Sequence, residues 1–184
     1  MSRLDIIIGP MFAGKSTELL RRINQLKVLD IPYLVVKPDI DTRYNQNKVV
    51  SHDNNSHNCQ PLKCLSDLYT LNHFNNINTL FIDEAQFFNN LQKNVLHIVE
   101  ELNKNVVIVG LDGDFQRNKF GQILDLIPYA DSCQKITSLC KKCGDGTPAL
   151  FSHRIQKSSE QVSLGAGDEY ESLCRKHYLQ STKL

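Results

Sequence analysis

The 184-residue sequence predicts an α/β fold in which helices flank a parallel β-sheet and a small cysteine-rich module follows. Short apolar segments alternate with amphipathic segments as far as about residue 130. This alternation is typical of a parallel sheet that helices cover on both faces. A glycine-containing loop joins the first apolar segment to the first amphipathic one, and two close pairs of metal-ligating residue types lie further along the chain.

The alternating part of the chain contains four predicted strands and two predicted helices. The strands are short apolar runs, several of them closed by turn residues, and they cover residues 4–8, 33–36, 79–83 and 106–110. The helices cover residues 15–29 and 89–105, where apolar residues recur at helical spacing. The polar segment 39–58 has no clear period and is predicted to be a loop.

The alternation fades after Ala130, where short β-like pieces at residues 134–139 and 161–164 follow. This change of pattern predicts a domain boundary. We therefore expect an α/β domain at residues 1–133 and a second domain, which carries the paired cysteines, at residues 134–184.

The composition argues against several kinds of partner. With 21 basic and 20 acidic residues the net charge is +1, so a nucleic-acid partner is not expected. No run of 18 apolar residues exists in the sequence, so no membrane partner is expected either. The first apolar segment is too short for a signal peptide, and we expect a cytoplasmic protein. Its six cysteines should then be thiols or metal ligands rather than disulfides.

Residues 9–16 fit the phosphate-loop pattern G-x-x-x-x-G-K-[ST] at every fixed position. The glycines let backbone N–H groups turn toward phosphates, and the next helix points its positive end at them. In this pattern Lys15 reaches the β and γ phosphates and Ser16 ligates Mg²⁺. A chance match is the alternative, but the position between a buried strand and an amphipathic helix favours a P-loop NTPase-like ATP site. The predicted ATP-contacting residues are Gly9, Pro10, Met11, Phe12, Ala13, Gly14, Lys15, Ser16, Thr17 and Asp83.

Two acidic residues follow the predicted strand at 79–83. Asp83 fits a second Mg²⁺ anchor, because ligands of open α/β sheets bind at the carboxyl edge. Glu84 has two competing roles: it could orient water, as in an ATPase, or accept the proton of an acceptor hydroxyl, as in a small-molecule kinase. A solvated loop carboxylate is the third alternative. Little of the chain is left to couple hydrolysis to work, which favours the kinase.

Two pairs of metal-ligating residue types predict a structural zinc site. Cys140 and Cys143 form one pair, and Cys174 and His177 form a matching pair with the same spacing. Three thiolates and one imidazole suit tetrahedral Zn²⁺. A redox C-x-x-C and buried unligated cysteines are the alternatives. A zinc ion would pin both ends of residues 144–173, which predicts a zinc-ribbon-like lasso that serves as a lid over an acceptor.

Taken together, these motifs resemble the zinc-containing type II thymidine kinase family. The matching stretches run in order across nearly the whole chain: GPMFAGKSTELLRR, DTRY, DEAQFF, LDGDFQR with FG, CKKC, FSHR and GAGDEYESLCRKHY. The resemblance implies phosphorylation of thymidine, and also of deoxyuridine, at the 5′-hydroxyl with Mg·ATP. It further implies a homotetramer, and feedback inhibition by dTTP is a related expectation.

The same resemblance assigns roles to individual residues. Glu84 is expected to be the general base, with Lys15 and Arg43 neutralising the transferring phosphoryl group. The side chains expected around the nucleoside are Met11, Asp41, Arg43, Phe87, Leu111, Phe115, Phe120, Ser152 and Tyr170. The backbone of Gln161, Val162, Ser163, Leu164 and Gly165 is expected to hold the thymine edge.

Two rival functions are also compatible with the sequence. One is a P-loop ATPase without a nucleoside acceptor, and the other is a zinc-ribbon nucleic-acid binder whose ATP site is regulatory. The near-neutral charge counts against the second.

Overall fold

The computed structural model describes residues 2–41, 47–50, 55–155 and 169–182. In chain order its strands are β1 (Leu4–Gly9), β2 (Tyr33–Pro38), β3 (Lys48–Val50), β4 (Ser56–Asn58), β5 (Gln60–Leu62), β6 (Thr79–Ile82), β7 (Asn105–Leu111), β8 (Ser132–Lys135), β9 (Ser138–Leu139), β10 (Pro148–Ala149), β11 (Phe151–Arg154) and β12 (Tyr170–Leu173). The α-helices are α1 (Lys15–Val28), α2 (Leu91–Leu96) and α3 (Arg175–Thr182). Short 3₁₀ segments cover Leu65–Thr70, Phe74–Asn76, Ala85–Phe87 and Ile123–Tyr129.

A six-stranded sheet in the order β5-β2-β6-β7-β1-β8 forms the centre of the protein. Every neighbouring pair in this sheet is parallel. The four predicted strands are its four inner strands, which confirms the α/β prediction. The two edge strands extend it: β5 comes from a region without a clear sequence pattern, and β8 begins two residues before the predicted 134–139 piece.

The sheet has a hydrophobic core on each face, because alternate strand residues point to opposite faces. Ile6 and Ile8 of β1 join the cluster formed with α2 and the 3₁₀ segment Ile123–Tyr129. Ile7, between them, joins the cluster formed with α1. Helical segments thus cover both faces, as a parallel sheet requires.

The predicted helix at residues 89–105 is shorter and less regular than expected. It consists of α2 and a π-helical turn at His97–Glu101, and Asn103 then takes a left-handed backbone with φ of 52°. The predicted loop at residues 39–58 also differs in its described part, where β3 and β4 pair as an antiparallel hairpin. The predicted β-like piece at residues 161–164 lies outside the described residues.

The cysteine-rich module is small and has its own core. It contains the antiparallel pairs β9–β10 and β11–β12, followed by α3. Leu173 and Tyr178 pack there with Ala149 and two of the cysteines. The boundary at residue 134 stays a prediction; β8 crosses it and pairs with β1 in the main sheet. None of the helices within the described ranges is long and apolar enough to cross a bilayer.

Candidate active site

The phosphate loop leaves the carboxyl end of β1 and enters α1, in the context that its sequence pattern predicts. Gly9 has no room for a side chain, because a Cβ there would overlap the carbonyl oxygen of Ile136. Gly14 has φ of 79°, in the left-handed region that favours glycine. The Lys15 ammonium is nearly buried and donates a hydrogen bond to the Pro10 carbonyl oxygen at 2.7 Å. The loop backbone therefore folds back toward the Lys15 side chain and accepts its hydrogen bond.

The strand register brings the predicted metal anchor to the same edge as this loop. Val36 is level with Ile82, Ile82 with Ile108, and Ile108 with Ile6 on β1. All four strands are parallel, so they lead to the same edge of the sheet. β6 ends at this row, whereas β1 and β7 stay paired for three more residues, to Gly9 and Leu111. Asp83 is 5% exposed, and its backbone N–H donates to the Val36 carbonyl at 2.9 Å. Asp83 and Glu84 therefore emerge at the carboxyl edge, with β7 between them and β1.

Glu84 is held at this edge by Gln86, a buried residue that the sequence does not predict to belong to the site. The Gln86 Nε2 group donates to the Glu84 carboxylate at 2.6 Å, and Gln86 Oε1 accepts the Leu111 backbone N–H at 3.0 Å. A backbone N–H can only donate, so the amide oxygen must face Leu111 and the NH₂ group must face Glu84. Glu84 itself adopts a left-handed backbone with φ of 48°. Nothing in the residue type alone distinguishes Gln86 from a solvated glutamine.

The residues that the resemblance assigns to the nucleoside fall into connected groups. The rings of Phe87 and Phe120 meet edge to face with centroids 5.3 Å apart. Tyr170 accepts a hydrogen bond from Arg154 Nε at 3.0 Å, and the Arg154 guanidinium lies 4.1 Å from the Phe115 ring centroid. Arg154 is 6% exposed and was not predicted, although it belongs to the FSHR stretch. It fixes the positions of two predicted aromatic residues.

The remaining residues assigned to the nucleoside that the structure describes are Met11, Leu111, Ser152 and Asp41. The Met11 backbone contacts the Ser152 side chain, and Leu111 lies at the end of β7 beside Gln86. Asp41 is buried, with one carboxylate oxygen 3.4 Å from the Lys37 ammonium.

Asp41 and Asp83 both influence the pKa of the Cys59 thiol. Burial raises the pKa of Cys59 to about 11; nearby Lys37 opposes this rise, and both carboxylates add to it. Lys37, Asp41 and Asp83 thus all lie close enough to Cys59 to act on its thiol. Arg43 and residues Gln161, Val162, Ser163, Leu164 and Gly165 lie outside the described part of the chain.

The four predicted zinc ligands converge on one point. Their ligand atoms all lie within 4.8 Å of one another. His177 Nδ1 is 3.3 to 3.5 Å from the three sulfurs, and the Cys143 and Cys174 sulfurs are 3.8 Å apart. A tetrahedral ion with Zn–S of about 2.3 Å and Zn–N of about 2.0 Å separates its ligands by ~3.5 to 3.8 Å. The donor set and its spacing therefore fit zinc.

The electrostatics of Cys140 also favour a metal-binding thiolate. Burial opposes its ionisation, but hydrogen bonds from the Cys174 backbone and the His177 side chain outweigh that effect and lower its pKa to about 6. Burial and the neighbouring Cys140 side chain act the other way on Cys143 and raise its pKa to about 11, so Cys140 ionises more readily than Cys143.

The sequence that builds this site matches a known protein family over nearly its whole length. The family model described as "TK: Thymidine kinase" matches residues 2–178. The chain belongs to the thymidine kinase family. This confirms the resemblance seen in the ordered motifs.

Individual relatives of the family agree with this assignment. A thymidine kinase of Oryza sativa subsp. japonica is 39% identical over 96% of this chain and 66% of its own length. A thymidine kinase of Bacteroides thetaiotaomicron is 40% identical over 97% of this chain and 88% of its own length. The protein of Gallus gallus named "Thymidine kinase, cytosolic" is 36% identical over 97% of this chain and 77% of its own length.

The packing around Gln86 predicts an unequal response of two glycines to the same substitution. Gly121 and Gly144 have φ of 62° and 66°, so alanine at either costs about 1 kcal/mol in backbone strain. A Cβ at Gly121 would also overlap the Gln86 carbonyl oxygen, whereas a Cβ at Gly144 would meet no described atom within 4 Å apart from its own residue and its two chain neighbours. We expect denaturant unfolding to show that Gly121→Ala lowers the free energy of unfolding by ~1 to 3 kcal/mol more than Gly144→Ala does. Equal losses in the two variants would contradict this packing.

Proposed function

We propose that the protein transfers the γ-phosphoryl group of Mg·ATP to the 5′-hydroxyl of thymidine, and of deoxyuridine, to give the nucleoside monophosphate. Membership of the thymidine kinase family supports the acceptor. The observation that carries the proposal is the position of Glu84 at the sheet edge that the phosphate loop shares, with its carboxylate held by Gln86. A carboxylate at the sheet edge that also carries a phosphate loop suits proton transfer from an acceptor hydroxyl.

In the proposed reaction the 5′-hydroxyl gives its proton to the Glu84 carboxylate. The hydroxyl oxygen forms a bond to the γ-phosphorus as the bond to the bridging β–γ oxygen breaks, and ADP leaves. Lys15 and Arg43 neutralise charge on the equatorial oxygens of the transferring group. Mg²⁺, held by the oxygen donors Ser16 and Asp83, would supply further positive charge to the β and γ phosphates.

The nucleoside is proposed to bind beside the paired aromatic residues. Phe87 and Phe120 already form an edge-to-face pair, and Phe115 and Tyr170 share contacts with Arg154. Aromatic faces of this kind suit a pyrimidine base. The further residues proposed for this site are Met11, Asp41, Arg43, Leu111, Ser152 and the backbone of residues 161–165.

Four finer properties of the protein are also proposed: a zinc site, an oligomeric state with its regulation, a location and the absence of a nucleic-acid partner. We propose that Cys140, Cys143, Cys174 and His177 bind a structural zinc ion in a lid domain at residues 134–184, which the convergence of the four ligand atoms supports. A homotetramer and inhibition by dTTP rest on the family resemblance alone. A cytoplasmic location is supported by the name of the Gallus gallus relative. The near-neutral charge supports the absence of a nucleic-acid partner.

The proposed acceptor is tested by incubation of the protein with Mg·ATP and a panel of nucleosides. We expect monophosphate product with thymidine and deoxyuridine, and none with deoxycytidine or deoxyadenosine. The Lys15→Ala variant should lose this activity, because the proposed charge stabilisation of the phosphates is removed. ADP formation that does not depend on an acceptor would contradict the kinase and select the ATPase.

The zinc site predicts that freshly purified protein contains about one zinc ion per chain. Cys143→Ser should lower the zinc content and the melting temperature, because structural zinc contributes folding free energy. Cys133→Ser is the matched control, since this exposed cysteine lies outside the cluster and should leave zinc content unchanged. Metal analysis of active protein that finds no zinc would refute the site.

A further inference from the structure

Two buried serines of the cysteine-rich module hold the phosphate loop at Met11. The Met11 backbone N–H donates to Ser152 Oγ at 2.9 Å, and the Ser172 hydroxyl donates to the Met11 carbonyl oxygen at 2.8 Å. The serines are 5% and 3% exposed, so water does not compete for these bonds. Both backbone polar groups of Met11 are therefore fixed by residues that lie 141 and 161 positions away in the sequence.

The two serines belong to one structural unit. They are directly opposite each other in the antiparallel pair β11–β12, and directly opposite residues project from the same face of a pair. The Lys141 backbone N–H donates to the Ser172 carbonyl oxygen at 3.1 Å, which ties this strand to the segment between Cys140 and Cys143. Hydrogen bonds through the pair β11–β12 thus connect the segment that carries two of the proposed zinc ligands to the phosphate loop.

The loop has a conformation that needs such support. Phe12, directly after Met11, has φ of 61°, a left-handed backbone that is strained for a bulky side chain. Strain of this kind persists where the surrounding structure imposes it, and it is common at ligand-binding sites. The backbone N–H groups that follow are the ones a phosphate loop directs at its ligand. A shift at Met11 would therefore change their direction.

We propose that Ser172 is a positioning residue for the nucleotide. It does not touch the nucleotide; together with Ser152 it fixes the backbone on both sides of Met11, and the loop beyond Met11 then presents its N–H groups to the phosphates. This inference rests on the proposed function for the identity of the ligand of residues 9–16.

The test is isothermal titration of Mg·ADP into the purified protein and three variants. Ser172→Ala removes the hydroxyl and should weaken Mg·ADP binding about threefold to tenfold, the effect of one lost buried hydrogen bond. Ser172→Thr keeps the hydroxyl and should restore most of the affinity. Ser138→Ala is the matched control, because Ser138 is a buried serine of the same module on β9.

Melting temperatures of the same variants separate positioning from general stability. If Ser172 acted only on stability, Ser172→Ala and Ser138→Ala would lower the melting temperature without a change in Mg·ADP affinity, and the proposal would be overturned. An unchanged Mg·ADP affinity in Ser172→Ala would overturn the proposal by itself, whatever Ser138→Ala shows. A wild-type protein that binds Mg·ADP but phosphorylates no nucleoside would instead refute the proposed function, while the Ser172 comparison would still decide the positioning role.

Discussion

The common register of the parallel strands is the constraint on which the candidate site depends. Ile6, Ile108, Ile82 and Val36 form one level row across four parallel strands, so the chain leaves all four strands at the same edge of the sheet. A slip of β6 by one residue would exchange the two faces and turn the side chain of Asp83 away from its present direction. The apolar residues on both faces oppose such a slip, because it would bring core residues of one face to the other. The hydrophobic core thus sets the geometry of polar residues that take no part in it.

Buried polar side chains then connect the strand ends into one site. Gln86 joins the end of β7 to Glu84, Arg154 joins two aromatic residues, and Ser152 and Ser172 join the second module to the phosphate loop. Each connection satisfies polar groups that burial would otherwise leave without a partner, and an unsatisfied buried group is costly. These side chains therefore tolerate few alternative arrangements. Low tolerance of this kind suits the proposed site, in which a base and a phosphate loop keep fixed relative positions.

The sequence predicts the parts of this site whose signal is local. The phosphate loop follows from spacing within eight residues, and Asp83 follows from the end of a buried strand. The four proposed zinc ligands follow from two matching pairs. The connecting residues have no local signal, because Gln86 and Ser172 are defined by partners that are distant along the chain. The hairpin β3–β4 and the edge strand β5 are likewise short segments without clear alternation, and pairing with neighbours rather than pattern decides their conformation.

The most direct measurement of the central proposal is the turnover of Glu84→Gln with Mg·ATP and thymidine. Glutamine has nearly the same shape and keeps an oxygen that can accept the hydrogen bond from Gln86, but it cannot take up the proton. Turnover should fall by about 10²- to 10⁴-fold, the usual contribution of a general base, while Mg·ADP affinity stays close to that of the wild type. A variant that retains near-normal turnover would contradict the assignment of Glu84 as the base.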